Sequence, residues 1–86
     1  MSNNQHSFYI LYSQDLDRYY IGSCSVPLQD RLHRHLSNHN GYTARAKDWK
    51  IVYSECFPSI SLARKREFQV KKWKSRTLIE QLIHSI

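Results

Sequence analysis

Three groups of residues in this 86-residue chain have types and spacings that could do chemistry. Arg31 and His35 stand four apart, which on a helix puts a guanidinium and an imidazole on one face. They fall at the rim of the stripe made by Leu28, Leu32 and Leu36, where they can line a cleft. Spacing alone favours a plainer reading, a solvated basic helix that also carries His33 and Arg34. Glu67 is the only acid in a stretch rich in Lys and Arg, between Ala63 and Val70 on what would be the inward side. It can pair with Lys71 four residues on, worth ~0.3 kcal/mol, and spacing alone favours this. Alternatively it is a metal ligand, since one carboxylate holds Mg²⁺ when waters and a substrate phosphate complete the octahedron. Finally, Tyr9, Tyr12, Tyr19 and Tyr20 crowd one segment. Any one of them alone reads as core with a bonded hydroxyl. Two hydroxyls on paired strands facing the same cleft as an Arg, a His and a Glu would be a site.

The elements that must position these groups follow from the pattern. "SFYILYS" (7–13) is apolar almost throughout and reads as a central strand. "QDLD" (14–17) supplies a turn, and "RYYIGSC" (18–24) returns as the second strand of a hairpin. Its Gly22 is out of place among strand formers and marks a bulge or a close approach to the backbone. Pro27 suits the first turn of a helix, with Ser25 as its cap. Residues 37–49 have no periodicity and form a loop that is long for so small a protein, and such loops are usually functional. "KIVYSECF" (50–57) is a third strand, and Pro58 and Ser59 open a helix through roughly Lys74. Thr77 and Glu80 fit a capping box for a last helix whose apolar face is Leu78, Ile79, Leu82, Ile83 and Ile86. The order β-β-α-β-α-α predicts an α+β fold: a small, mainly antiparallel three-stranded sheet flanked by helices. One domain over residues 1–86 is expected, residues 1–6 being a flexible tail.

Composition narrows the partners. Thirteen Lys and Arg against seven Asp and Glu leave a net charge of +6, which attracts polyanions, nucleic acid first and anionic membrane surfaces second. The longest apolar run, Phe8 to Tyr12, is far short of the ~20 residues of a membrane span. The polar start "MSNNQHS" lacks the apolar core of a signal peptide, so a cytoplasmic protein is expected. Cys24 and Cys56 stand far apart with no C-x-x-C pairing, and each is expected to be a small buried hydrophobe.

Taken together, these segments resemble the GIY-YIG nuclease superfamily in its small free-standing bacterial type, from about Ser7 to Ile83. "YIG" (Tyr20-Ile21-Gly22) matches the second motif, and Ser7-Phe8-Tyr9 keeps the tyrosine of the first. "DRLHRH" (30–35) is similar to the family's Arg-x-x-x-His helix, "WKIVYSE" (49–55) to its third strand, and "ARKREFQVKKW" (63–73) to its Ala-x-x-x-Glu helix. Two positions depart from the pattern. Ser7-Phe8 replaces the Gly-Ile of the first motif, and no Asn follows Asn40, where several family nucleases use a late one; Ser75 and His84 are available instead.

The resemblance implies a Mg²⁺- or Mn²⁺-dependent endonuclease that hydrolyses DNA phosphodiester bonds in repair or processing. It also implies roles. Glu67 would anchor the metal, Tyr9 would be the general base with His35 as proton acceptor, Arg31 would hold the scissile phosphate, and Tyr20 would complete the network. Arg45, Lys47, Lys71, Lys72 and Lys74 are the expected track for DNA. Nothing resembles a base-reading motif, so shape is the expected cue, as in nicked, flapped or branched DNA. The alternatives are a basic nucleic-acid-binding module of the same fold without turnover, and an RNA-binding adaptor that stacks bases on the hairpin tyrosines.

Overall fold

The first strand, β1 (His6–Ser13), is buried at nearly every position because it lies in the middle of the sheet with both faces covered. The computed structural model describes residues 6–37 and 41–85. β1 pairs antiparallel with β2 (Arg18–Cys24) on one side and β3 (Lys50–Phe57) on the other, in the order β2-β1-β3. The hairpin turn closes through a bond from Asp17 N–H to the Gln14 carbonyl, with Asp17 in the left-handed region at φ 52°, a conformation Asp tolerates. A bulge between Ile10 and Leu11 shifts the register against β3.

Alternation then sorts the side chains into two layers. Tyr9, Leu11, Tyr20 and Cys24 face α1 (Leu28–Ser37), whose Leu28, Leu32 and Leu36 pack on them together with Ala46 and Trp49. Phe8, Ile10, Tyr19 and Ile21 face the other way, onto Val70 of α2 (Ile60–Lys71) and Ile79, Leu82 and Ile83 of α3 (Arg76–Ile83). The α+β order β-β-α-β-α-α and the antiparallel sheet are as the sequence predicts.

Several local expectations change. His6 belongs to β1 and is not part of a tail; residues 1–5 lie outside the described residues, as does Ile86. Ser25 does not cap α1. Its hydroxyl bonds His6 Nδ1 at 3.1 Å, and the Pro27 carbonyl accepts the first helical bonds, from Asp30 and Arg31. The loop contains a 3₁₀ turn, η1 (Tyr42–Arg45). α2 stops at Lys71 rather than near Lys74, because Lys74 turns left-handed at φ 48° to let α3 begin. α3 is capped by Ser75, whose hydroxyl accepts from Leu78 N–H, and not by Thr77. Glu80 instead bonds Arg76 and Tyr19. Cys24 is buried as expected, but Cys56 is exposed on edge strand β3.

Candidate active site

Gly22 lies directly across from Tyr9 in the β1–β2 ladder, so both point to the α1 face. The Tyr9 ring folds over the glycine so closely that a β-carbon there would stand 2.6 Å from the Tyr9 hydroxyl and 2.7 Å from Cζ. The close approach that the strand glycine signals is therefore made by a tyrosine of the same sheet. Tyr20, two residues before Gly22, shares the face, and its ring tilts against Tyr9 with centroids 6.4 Å apart.

The first helix brings the next groups. His35 reaches back to place Nε2 2.9 Å from the Tyr9 hydroxyl, and its ring meets Tyr20 edge-on at 4.9 Å. Its other nitrogen, Nδ1, lies 3.0 Å from the hydroxyl of buried Thr43. Thr43 is itself fixed: its carbonyl accepts from the indole N–H of buried Trp49 at 2.9 Å. Arg31, one turn before His35, has a buried Nε with no hydrogen-bond partner among the described residues. A buried donor left unpaired is costly, so this one is available to an acceptor that enters the site.

Charge and burial tune these groups. Burial holds the Tyr9 phenol well above its ordinary range and Tyr20 adds to the effect, while the Arg31 guanidinium pulls it down and Glu67 pushes it up. Burial lowers the His35 pKa, and the cations Arg31 and Arg34 lower it further. Tyr9 and His35 thus meet as a neutral phenol and a neutral imidazole near neutral pH.

Glu67 arrives from the other side of the sheet. Ser23, next to Gly22 but facing α2, donates to Glu67 Oε1 at 2.5 Å, and Lys71 pairs with Oε2 at 2.5 Å. The i,i+4 ion pair favoured by spacing is formed, and yet Glu67 also borders an open depression of about 320 Å³ with Arg64, Phe68 and Lys71. The two sets meet around edge strand β2, where Gly22 contributes no side chain.

The sequence-predicted residues therefore divide. Tyr9, Tyr20 and His35 form one contacting group, and Arg31 and Glu67 reach it electrostatically rather than by contact. Of the expected DNA track, Lys71 is tied to Glu67, and Lys47 donates to the Leu36 carbonyl at the end of α1. The Arg45 guanidinium lies over the Tyr42 ring, and Lys72 over Phe68. The Tyr42 ring in turn stacks on Tyr20, 6.2 Å between centroids. Ser23, Tyr42, Thr43 and Trp49 were not singled out by sequence reasoning. Only the length of the 37–49 loop signalled that something there mattered.

A divalent metal fits this donor set only in one form. Among the described residues no three His, Cys, Asp or Glu side chains come together, so an all-protein cage is ruled out for them. Glu67 offers a hard, partly exposed carboxylate beside an open depression, which suits an ion that keeps most of its waters. The exposed Lys71 partner is worth only ~0.3–0.5 kcal/mol and can yield.

Comparison with known proteins agrees with this architecture. The solution NMR structure of a UPF0213 protein from Bacillus halodurans is similar, with a TM-score of 0.56 and 30% identity, over 91% of this chain and 81% of that one. A search of curated proteins found no match. Among the described residues no helix is long and apolar enough to cross a membrane. A family model described as the GIY-YIG catalytic domain matches residues 5–80, which contain every residue of the constellation above, and the chain accordingly belongs to the GIY-YIG nuclease family.

Proposed function

We propose that this protein is a divalent-metal-dependent endonuclease that hydrolyses DNA phosphodiester bonds, selecting flapped, branched or nicked substrates in repair or processing. The observation that carries the reading is the Tyr9 hydroxyl held over Gly22 and 2.9 Å from His35 Nε2, in the field of an Arg31 whose buried Nε has no partner among the described residues.

Phosphodiester hydrolysis needs an activated water and compensation of charge at phosphorus and at the leaving oxygen. Burial raises the Tyr9 pKa and so disfavours a standing phenolate. Tyr9 works instead as a relay. As the attacking water passes a proton to the Tyr9 oxygen, the Tyr9 proton moves along the existing contact to His35 Nε2. His35 is kept neutral by burial and by its cationic neighbours, so Nε2 is free to accept. The relay uses the His35 tautomer with its proton on Nδ1 and a bare Nε2, and the Thr43 hydroxyl, 3.0 Å from Nδ1, can accept from it. Arg31 holds the scissile phosphate, and Tyr20 braces both Tyr9 and His35. Glu67 would hold Mg²⁺ or Mn²⁺, which when bound neutralises charge on the phosphodiester and the leaving oxygen. Arg45, Lys72 and Lys74 carry the flanking backbone, with Lys47 and Lys71 serving the site first.

The test combines substrates and one atom. Purified protein is incubated with linear, nicked, flapped and branched DNA, with Mg²⁺ or Mn²⁺ and with EDTA. Tyr9→Phe removes only the hydroxyl, and cleavage should slow by roughly 10²–10⁴ while DNA affinity holds. Tyr12→Phe is the control, since the Tyr12 hydroxyl bonds Asp17 at the hairpin turn. Metal-independent binding with no cleavage of any substrate would establish the binding module in place of the enzyme.

A further inference from the structure

Phe68 is 63% exposed, the most exposed large apolar side chain described, on the outward face of a helix that also exposes Arg64, Lys65 and Lys71. It is not part of the core: the buried positions of α2 are Ala63 and Val70. It forms a wall between two depressions. One, of about 320 Å³, holds Glu67. The other, of about 540 Å³, is lined by Leu62, Lys65, Arg66, Lys72 and Trp73. Lys72 Nζ stands 4.8 Å over the Phe68 ring. Arg66 is committed to Glu55 by ion pair, whereas Lys65 and Lys72 form no ion pair among the described residues.

We infer that Phe68 stacks an unpaired base of the substrate strand, beside the depression that Glu67 borders, with Arg64, Lys65 and Lys72 on the adjoining phosphates. The inference rests on the nuclease reading and adds to it the side chain that engages an unpaired base. A flat ring flanked by cations that are in no ion pair among the described residues matches a base attached to phosphates, since stacking is indifferent to sequence and the cations answer the backbone. Continuity decides the occupant: Phe68 lines the same depression as Arg64 and Glu67, so a strand with a phosphate on the Arg64 guanidinium presents the adjoining base to Phe68. Within a duplex both faces of that base are covered by its neighbours, so the base must be unpaired, as in a flap, gap or single strand. A second copy of this chain is a poor occupant, because two such faces would set Lys65 and Lys72 against their equals.

Binding in EDTA tests this without cleavage. Labelled flapped and single-stranded oligonucleotides are compared with a fully paired duplex of the same length. Wild type should bind the unpaired substrates more tightly than the duplex. Phe68→Leu should lose about 5- to 150-fold on the unpaired substrates, keep its duplex affinity, and be rescued by Phe68→Tyr. Full binding by Phe68→Leu, or equal losses on unpaired and paired DNA, would overturn the stacking role and leave the nuclease reading intact. Failure of wild type to bind any DNA would overturn that reading and this inference with it. The residue is exposed, so both variants should fold, which a thermal melt of each confirms.

Discussion

At the scale of single residues, Gly22 is the position with least freedom. A β-carbon there meets the tip of Tyr9 below 3.0 Å, and that tip is bonded to His35, so it cannot move away without breaking the contact. Gly22→Ala should therefore fold, since only one buried ring must shift, yet cleave about 10²-fold more slowly, as expected for a misplacement near 1 Å. Parallel melts and cleavage rates check both halves. His35 sets the pH response. Its folded pKa lies below the ordinary value of about 6.5, so the neutral acceptor persists to lower pH and is lost only as pH falls through that lowered value. The acid limb of kcat/KM should thus lie below about pH 6.5. Removing the hydroxyl that fixes the imidazole tests the tautomer argument. Thr43→Val should slow cleavage about tenfold or more, whereas Thr43→Ser should keep the rate.

At the scale of elements, each side of the sheet delivers one half of the candidate chemistry. α1 supplies Arg31 and His35 over Tyr9, and α2 supplies Glu67 through Ser23 around edge strand β2. Glu67→Gln separates the two readings of α2. It keeps the shape and removes the charge that would hold a metal, so Mg²⁺-dependent cleavage should vanish while DNA binding holds or improves slightly. If the ion pair with Lys71 were the whole role of Glu67, stability would fall by only a few tenths of a kcal/mol and cleavage would continue. Thermal stability, DNA affinity and cleavage measured on one preparation decide between them.

At the scale of the whole molecule, a net charge of +6 makes association with a polyanion a long-range effect. With about four phosphates contacted, log K against log salt should fall with a slope near −3.6, and a flat response would exclude nucleic acid as partner. At this scale sequence and structure also part company. Strand boundaries, the order of elements and the covering of both sheet faces were legible, because alternation and four-residue periodicity are local consequences of backbone geometry. The pairs Arg31–His35 and Glu67–Lys71 were legible for the same reason, being spacings along one helix. Caps were misread at Ser25 and Thr77, since several hydroxyls near a helix start compete and packing chooses one. The tertiary fold alone decided that Tyr9 covers Gly22, that Thr43 holds the far nitrogen of His35, and that Ser23 meets Glu67 across 44 positions. Such contacts join residues whose separation in sequence carries no period, so only the folding of two helices onto opposite faces of one sheet brings them together.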